Sequence, residues 1–484
     1  MGYPTVYPTG VLRYNPEKAW SGYTIMPLHN RGSLLIDMNG REVRLWKNFE
    51  GFPTKIFPGG HILASSGVRN PKYGLQDERD LVQIDFDGKI VWKWNKAEFI
   101  DDKDPNETPQ WMARQHHDYQ RDGNPVGYYV PGMEPKIDGG NTLILAHKDV
   151  HCPYISEKHL LDDVVYEVDW DGDILWEWKA SDHVEEMGFS QEALNAMSRN
   201  PNFRGGSLIE EAPSLGDWMH INSMSKLGPN KWYDQGDERF NPENIIMDGR
   251  ETNIIFIVDK KTGKIVWQVG PDYNKTPELK KLGWIIGQHH AHMIPRGLPG
   301  EGNILVYDNG GWAGYGAPNP GAHDGTKTAL RDYSRVLEFN PITLEIVWQC
   351  TPKEMGYLIP LDACRFYSPF ISSAQRLPNG NTLITEGSDG RLIEVTPDHE
   401  IVWEYVCPYF YEADNMNYIY RAYRAPYEWV PQLDKPVETE IKPLDKRTFR
   451  VPGAAPYGCD NVVEVEGTIE PYEGTAGHCV GNIE

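Results

Sequence analysis

The sequence predicts an all-β fold: a six-bladed β-propeller with long rim insertions and a C-terminal extension. The main observation is a hairpin signature that occurs six times, in which an apolar run meets a turn and then a strand that carries a tryptophan. Four-stranded units that recur along a chain are typical of propellers. The tryptophans that mark the outer strands are Trp46, Trp92, Trp176, Trp267, Trp348 and Trp403.

Dipeptides that favour tight turns join the two strands of several hairpins. Asn39-Gly40, Asp87-Gly88 and Asp171-Gly172 each follow a strand-like run. A two-residue hairpin turn needs positive φ at both central positions, which Asn, Asp and Gly tolerate. These turns therefore predict antiparallel hairpins with one buried face. A β-sandwich with accidental tryptophan spacing is the alternative, and the recurrence of the whole unit disfavours it.

The domain organisation follows from where the repeats stop. Residues 1–430 are predicted to form the propeller, with a rim insertion at about 180–244, and residues 431–484 a C-terminal extension. Within the insertion, residues 190–197 have the pattern of a capped amphipathic helix. The extension is rich in Pro and Glu and either wraps the outside or helps close the ring with the strand near residues 10–14.

The charge balance limits the partners of this chain. Its 484 residues contain 47 Lys and Arg against 70 Asp and Glu, a formal net charge of −23. Such a surface repels phosphate, which argues against nucleic acid and anionic membranes as partners. No apolar run is long enough for a membrane-spanning helix. Because the first residues lack the features of a signal peptide, we expect a cytoplasmic protein and leave a homodimer open.

A two-part sequence motif recurs in the repeats: a polar cluster is followed by a Gly-Asn pair at the start of an apolar strand. The cluster is rich in histidine at residues 116–118 and 287–292 and contains serine at residues 372–374. Aligning the repeats brings one position into coincidence on the first strand of each blade, which lines the central channel. That position holds His116, His220 and His289, with Phe52 and Ser372 in two other units. We therefore expect three imidazoles to point at one place in the channel.

A second shared position lies six residues after the Asn that opens the next strand. It holds His147, Arg250, Asn309 and Gly387 in four of the repeats. This alignment predicts that Arg250 lies beside the histidines as a cation in an otherwise acidic protein.

Three histidines with an Asn and an Arg nearby fit two kinds of chemistry. One is a transition metal site, because three imidazoles and an open position form a common catalytic zinc arrangement. The other is a nucleophilic histidine that attacks an anionic group while Arg, Asn and the remaining imidazoles stabilise the charge. Asp118 or Asp308 is expected to orient an imidazole. Motifs for nucleotide-dependent transfer and for serine hydrolysis do not occur.

Four segments of the chain, taken together and in this order, carry a family resemblance. They are His-His-Asp at 116–118, Trp-Met-His-Ile-Asn-Ser at 218–223, Gln-His-His-Ala at 288–291 with Asp-Asn-Gly at 308–310, and the segment 376–383. With these segments the sequence resembles the bacterial aryl-sulfate-dependent arylsulfotransferases, which are six-bladed propellers. The resemblance extends over residues 22–410, approximately.

The resemblance implies transfer of a sulfuryl group from an aryl sulfate to a phenol through a sulfo-histidine, without a nucleotide donor or a cofactor. The family's nucleophile matches His289, and its supporting histidines match His116 and His220. Its sulfate-binding residues match Asn222 and Arg250. Because attack requires neutral imidazole, activity is predicted to fall below about pH 6.5.

The chain departs from the family pattern at two points. The residue after the nucleophile is often Asp in the family and is His290 here. Periplasmic members carry a signal and an N-terminal β-domain that have no counterpart in this sequence. Besides the matched residues, we expect His117, His290 and Asn309 to contact the substrate.

The surplus of histidines keeps a second hypothesis open. It is a metal-dependent lyase, hydrolase or oxidoreductase that acts on a small phenolic or hydroxylated substrate, with a transition metal bound by His116, His220 and His289. A metal on His289 would occupy the lone pair that attacks sulfur, so one histidine cannot serve both reactions at once. A binding scaffold without catalysis is a third hypothesis, which inward-facing His and Arg disfavour.

Overall fold

Six antiparallel sheets, five of four strands and one of five, form the body of the chain. They are seen in a computed structural model that describes residues 7–71, 73–101, 104–202, 216–412, 415–455, 463 and 465–467. The predicted six-bladed propeller is thereby confirmed. The chain divides into two compact units, Met1–Lys442 and Pro443–Glu484. All six blades belong to the first unit, and the boundary placed at residue 431 from the sequence stays a prediction.

Each blade runs from an innermost strand at the channel to an outermost strand at the periphery. Blade one consists of Tyr423–Ala425, Tyr23–Leu28, Gly32–Ile36 and Glu42–Lys47. Blade two consists of Glu50–Phe57, His61–Ser65, Leu81–Ile84 and Ile90–Trp94. Blade three consists of Gln115–Arg121, Thr142–Cys152, Ser156–Val168 and Ile174–Lys179.

The remaining blades follow the same order. Blade four consists of Ile221–Lys226, Ile245–Gly249, Ile254–Val258 and Ile265–Val269. Blade five consists of His289–Met293, Ile304–Asp308, Arg335–Phe339 and Ile346–Cys350. Blade six consists of Ser373–Arg376, Thr382–Glu386, Arg391–Val395, Ile401–Val406 and a fifth, outer strand, Gly10–Tyr14.

Both ends of the propeller sequence take part in closing the ring. The innermost strand of blade one, Tyr423–Ala425, comes from the C-terminal side and pairs with Tyr23–Leu28. On the other side, Gly10–Tyr14 pairs with the outermost strand of blade six. Ile441 adds a bridge to Tyr14. The N-terminal strand therefore supports the last blade, and a strand from beyond the last blade completes the first.

Tryptophans of the outer strands fasten each blade to the next one. In every blade an indole Nε1–H donates to a backbone carbonyl in or beside the hairpin turn of the following blade, at 2.8–3.0 Å. The donors are Trp46, Trp92, Trp178, Trp267, Trp348 and Trp403, and the acceptors in the same order are Asp85, Trp170, Gly263, Pro341, Pro397 and Met38. Five of these donors belong to the predicted signature, whereas blade three uses Trp178 in place of Trp176.

Helices and short extra hairpins occupy the connections. The 3₁₀-helices are Pro58–Gly60, Ala180–Met187, Glu238–Phe240, Ala363–Arg365, Gly387–Asp389 and Tyr427–Trp429. The α-helices are Gln191–Arg199, Lys231–Asp234 and Pro277–Leu282. Two extra hairpins pair Glu98–Ile100 with Gln110–Met112, and Ala313–Tyr315 with Thr326–Ala329.

The helix predicted in the rim insertion is present. Gln191–Arg199 begins after Ser190, whose side chain accepts a hydrogen bond from the backbone N–H of Ala193. Its buried side turns Ala193 and Met197 towards the core between blades three and four. The range predicted for this insertion, 180–244, also contains Ile221–Lys226, the innermost strand of blade four.

The second compact unit contributes only a short described segment, in which Arg447 donates to Asp445 at 3.0 Å. Over the described residues, no helix has both the length and the apolar character that crossing a membrane requires.

Candidate active site

A cavity of about 670 Å³ lies where the innermost strands of the blades begin. Four of the eight residues predicted for the site line it: His117, His220, Arg250 and His289. The other four are buried but do not belong to its lining: His116, Asn222, His290 and Asn309.

His289 is the first residue of the innermost strand of blade five. Its Nδ1 lies 2.8 Å from Oδ1 of Asn309. Both hydrogens of the Asn309 amide are used, because Nδ2 donates to the carbonyls of Ser368 and Ile371 at 2.7 and 2.8 Å. The amide therefore presents an acceptor to His289, so the imidazole carries its proton on Nδ1. Its Nε2 keeps a lone pair, which accepts the backbone N–H of Ile371 at 3.2 Å.

The surroundings of His289 favour the neutral imidazole. Burial lowers the pKa of His289 well below its usual value, and the positive charge of Arg250 lowers it further. The hydrogen bond to Asn309 opposes this shift but does not outweigh it. His289 is consequently a neutral base well into the acidic range, which moves the expected loss of activity to a lower pH than the sequence predicted.

His220 immediately precedes the innermost strand of blade four and is held by a carboxylate. Its Nδ1 forms a short hydrogen bond with Oδ2 of Asp217. Burial raises the pKa of Asp217, but the charge and the hydrogen bond of His220 outweigh burial and hold that pKa below its ordinary value. The Asp217 carboxylate therefore fixes the orientation of the His220 ring, which lines the cavity.

In blade three the imidazole that lines the cavity is that of His117, and this corrects the expectation for His116. The innermost strand of blade three has a bulge between Gln115 and Tyr119, and His117 lies in it with φ of 54°. The bulge contains two more residues than the partner strand, and within it His117 faces the cavity while His116 is buried in the blade. The rings of His117 and His220 meet edge to face with centroids 4.6 Å apart.

Arg250 lines the cavity as predicted, but it is not a free cation. Its Nη1 is paired with the carboxylate of Glu251, which also lines the cavity. Its backbone N–H donates to the carbonyl of His220 at 3.0 Å, which fixes the two residues relative to each other. The ion pair reduces the positive field of Arg250 without removing its ability to donate further hydrogen bonds.

A family model described as Arylsulfotransferase (ASST) matches residues 134–419, which is more than half of the chain. The chain belongs to the arylsulfotransferase family. The resemblance is confirmed, and family membership supports aryl sulfotransfer in general, with small aryl compounds as substrates. The matched range contains His220, Arg250 and His289 but begins after His117.

Solved structures with a similar fold share little sequence with this arylsulfotransferase family member. A protein of unknown function from Bacteroides caccae has a TM-score of 0.40 and 12% identity, covering 83% of this chain and 98% of its own. A streptogramin B lyase has a TM-score of 0.36 and 9% identity, with 87% and 95% covered. A putative 6-phosphogluconolactonase from Bacteroides fragilis NCTC 9343 has a TM-score of 0.34 and 10% identity, covering 84% of this chain and 99% of its own. No curated protein matches the chain by sequence.

Asn222 and His290 of this family member are buried behind the cavity and do not line it. The side chain of Asn222 donates to the carbonyl of Gln288 at 2.8 Å, and its own carbonyl accepts from Tyr420 and Arg421. These bonds connect blade four to blade five and to the segment that closes the ring. His290 is buried, and the positive charge of Arg421 adds to burial in lowering its pKa. We expected both to contact substrate, and neither lines the cavity.

The two aspartates expected to orient imidazoles have other partners. Asp118 accepts from Lys55 at 2.6 Å and from Arg421 at 3.0 Å. Asp308 accepts from Arg331 and Arg335. Both aspartates are buried, and buried carboxylates are retained where cations neutralise them. The imidazoles are oriented instead by Asn309 and Asp217.

An aromatic wall on the cavity was not predicted residue by residue. Its rings belong to Phe52, Trp312, Phe370, Tyr411, Tyr418 and Tyr420. The rings of Phe52 and Tyr420 lie 3.9 Å apart, and that of Phe52 is 4.5 Å from His117. Three of the six come from residues 411–420, between the last blade and the closing strand, where no repeat pattern exists. Only the abundance of tyrosine indicated such a surface.

Two more cationic side chains line the cavity, and one of them, Arg69, is paired with Asp77. Lys327 lies on the extra hairpin of blade five, and it forms no ion pair with any described residue. Its position in an insertion rather than in a repeat explains why the alignment of blades did not reveal it.

The three histidines proposed as metal ligands are not brought together. Across the described part of the chain, the group whose ligand atoms all lie within 4.8 Å of one another is His116, His147 and Asp163. His220 and His289 are not members of it. The His116, His220 and His289 set therefore has no geometric support as a single metal site.

Proposed function

We propose that this chain transfers a sulfuryl group from an aryl sulfate to a phenol, through a sulfo-histidine on His289 and without a nucleotide donor. The observation that carries the proposal is the tautomer of His289. Asn309 holds the proton on Nδ1, and among the described residues the lone pair of Nε2 accepts only the N–H of the cavity-lining Ile371. Neutral imidazole with a defined lone pair is the form that attacks sulfur.

In the first step, Nε2 of His289 attacks sulfur, the N–S bond forms and the bond between sulfur and the aryl oxygen breaks. Charge spreads over the three equatorial oxygens, as in phosphoryl transfer. Arg250, Lys327 and the displaced N–H of Ile371 stabilise these oxygens. The Nδ1–H of the sulfo-imidazole remains hydrogen-bonded to Oδ1 of Asn309, so the intermediate keeps its orientation.

The proton follows a separate route through His220. In its imidazolium form, stabilised by Asp217, His220 gives a proton to the departing phenoxide. An acceptor phenol then returns a proton to neutral His220 while its oxygen attacks sulfur, and the N–S bond breaks. One aryl sulfate and one phenol give one phenol and one aryl sulfate, so the proton balance closes within the site.

The aromatic wall supports an aryl group on the donor and on the acceptor. Aromatic rings bind flat apolar groups by stacked and edge-to-face contacts. Phe52 and Tyr420 lie next to His117, so a ring bound on them has its oxygen substituent close to the imidazoles. A pocket that combines aromatic sides with imidazoles, Arg250 and Lys327 offers stacking surfaces and hydrogen-bond donors for a phenyl sulfate.

The test is turnover of p-nitrophenyl sulfate with a phenol as acceptor and no nucleotide. We expect nitrophenol release and a sulfated acceptor in equal amounts, both lost in His289→Ala. His151→Ala is the matched control, because His151 is an exposed histidine on blade three, and it should retain full activity. A sulfated, acid-labile peptide that contains His289 should be isolated after brief reaction. Silence across a panel of aryl sulfates, or an adduct on another residue, contradicts the proposal.

A further inference from the structure

Directly behind His117, three strands of blade three bring together side chains that sulfuryl transfer does not use. His116 comes from the first strand, His147 from the second and Asp163 from the third. His147 and Asp163 are direct cross-strand neighbours. The rings of His116 and His147 are nearly parallel, with centroids 3.5 Å apart. All three side chains are fully buried.

Each of these side chains has one polar atom for which the described protein supplies no hydrogen bond. They are Nε2 of His116, Nε2 of His147 and Oδ1 of Asp163. The opposite atom of each side chain is engaged: Nδ1 of His116 with His117 at 2.7 Å, Nδ1 of His147 with Asp77 at 2.7 Å, and Oδ2 of Asp163 with the N–H of Ile221 at 2.9 Å. Nε2 of His116 and Oδ1 of Asp163 face each other, but none of the three buried atoms has a hydrogen bond within the described residues, which is costly unless something binds them.

We propose that His116, His147 and Asp163 bind a divalent transition metal ion, with zinc as the representative ion. Two imidazole nitrogens and one carboxylate oxygen form a donor set that Zn²⁺ and its neighbours in the first transition row prefer. Nε2 of His116 lies 3.3 Å from Oδ1 of Asp163. Two ligands at about 2.1 Å from an ion at a tetrahedral angle are about 3.4 Å apart. The pair is thus spaced as two ligands of one ion.

The second layer of contacts fits metal ligation. Metal-bound histidines usually donate their other N–H to a carboxylate or carbonyl, which fixes the tautomer. Asp77 does this for His147, and Arg114 holds Asp77 in place through a 2.8 Å ion pair. With its proton on Nδ1, His147 has only the lone pair of Nε2 to offer to the group in front of it.

A protonated Asp163 is a poorer explanation of the same geometry. Its Oδ1–H would satisfy Nε2 of His116, but it would leave Nε2 of His147 without a partner. A single buried water could contact all three atoms, and the experiment below separates water from metal.

The ion would have two effects on the molecule. It would join three strands of blade three at the end that faces the cavity. It would also keep the proton of His116 on Nδ1, from where it is donated to His117 across 2.7 Å. His117 then carries its own proton on Nε2 and presents a donor to the cavity. This second effect rests on the proposed function, whereas the metal site itself does not.

The experiment uses the full chain without a histidine tag. The protein is stripped with a strong chelator, freed of it, and titrated with Zn²⁺ in competition with a chromophoric chelator, and with Co²⁺ under visible absorption. We expect one tight equivalent of Zn²⁺ and a Co²⁺ spectrum of four- or five-coordinate type. His147→Ala and Asp163→Asn should weaken binding by at least about 100-fold, and Asp77→Asn by about 10–100-fold.

His151→Ala is the matched control, since His151 lies on the same strand as His147 but is exposed. It should bind Zn²⁺ as tightly as the unmodified chain. Circular dichroism establishes that each variant is folded; should one fail, the Co²⁺ spectrum of the unmodified chain decides. No stoichiometric binding, or equal binding by His147→Ala, overturns the proposal and leaves a buried water as the occupant. Because no sulfuryl transfer is measured, a failure here is distinct from a failure of the proposed function.

Discussion

Blades three and five carry a histidine at the start of the innermost strand and a partner six residues after the Asn that opens the next strand. In blade five the partner of His289 is Asn309, a neutral amide whose own hydrogens are held by backbone carbonyls. In blade three the corresponding residue is His147, and a buried carboxylate, Asp163, lies opposite it. The same backbone module therefore pairs its histidine with a neutral amide in one blade and places it beside carboxyl groups in the other.

This difference shows which neighbours determine the chemical role of a buried imidazole. A neutral partner fixes the tautomer without attracting a second proton, so the imidazole stays a nucleophile. Carboxylates nearby favour a positive charge in their midst, and that charge is a proton or a metal ion. The distinction comes from the residues on the second and third strands, while the histidines of the first strands look alike in sequence.

The largest expected effects come from one variant in each blade, which should affect mainly sulfuryl transfer in blade five and mainly Zn²⁺ binding in blade three. We expect His289→Ala to lower the rate of sulfuryl transfer by about 10³-fold or more while Zn²⁺ binding stays unchanged. Asp163→Asn should abolish tight Zn²⁺ binding and lower transfer far less than His289→Ala does, because Asp163 does not line the cavity and reaches it only through His116 and His117. Measuring both properties in both variants checks the assignment. A variant that loses both properties while still folded shows that the two sites are one.

The next effect comes from giving blade five a charged partner. Asn309→Asp replaces a neutral acceptor with a carboxylate, which stabilises the imidazolium of His289 and raises its pKa. Since only the neutral form attacks, the acid limb of the profile of kcat/KM against pH should move to higher pH. We also expect a loss of about 10²-fold or more near neutrality, where orientation by the amide is lost as well. An unchanged acid limb would show that His289 does not limit the reaction at low pH.

A smaller shift in the same direction is expected from Arg250→Gln. Burial and the charge of Arg250 together hold the pKa of His289 well below its usual value. Removing the charge lets that pKa rise, so the acid limb of kcat/KM moves to higher pH, and KM for the aryl sulfate increases because a donor to its oxygens is lost. Glu251→Gln is the counterpart, since it removes the other half of the ion pair and should move the limb to lower pH. Shifts of the same sign in both variants would contradict this account.

The smallest effect is expected at Ser334, which immediately precedes the third strand of blade five and supports Asn309. Its hydroxyl donates to the carbonyl of Asn309 at 2.7 Å and accepts the N–H of Ser368 at 2.9 Å. Ser334→Ala leaves buried backbone groups with fewer partners, so the free energy of unfolding should fall by about 1–3 kcal/mol. Urea denaturation measures this loss, and Zn²⁺ binding in blade three should stay the same. A large loss of metal affinity would mean that the two blades are coupled.

The blades could be predicted because their signals are local. Alternating strands, hairpin turns and outer tryptophans each depend on a few neighbouring residues, and the structure uses Trp46, Trp92, Trp267, Trp348 and Trp403 in the same bond. The helix at Gln191–Arg199 followed equally from its cap at Ser190. Positions that recur once in each repeat were informative for the same reason.

The site was harder to predict because bulges and insertions break the repeat. A bulge in Gln115–Arg121 exchanges the directions of His116 and His117, and nothing in the local sequence fixes which of them faces the cavity. Tyr420 and Arg421 lie beyond the last hairpin and reach the site only because the ring closes. The orienting role fell to Asn309 and Asp217 rather than to Asp118 and Asp308, since Lys55, Arg421, Arg331 and Arg335 take up the latter two.

The closing strand Tyr423–Ala425 also sets an order of events during synthesis. Tyr23–Leu28 leaves the ribosome roughly 400 residues before its inner neighbour and waits with an open edge on the channel side. Tyr420 and Arg421, which bind the carbonyl of Asn222, emerge immediately before that neighbour. The segment that completes the ring therefore also completes the wall of the cavity. A nascent chain that ends before residue 423 has five complete blades and every histidine of the site. Its ring is still open, so the site is not yet formed.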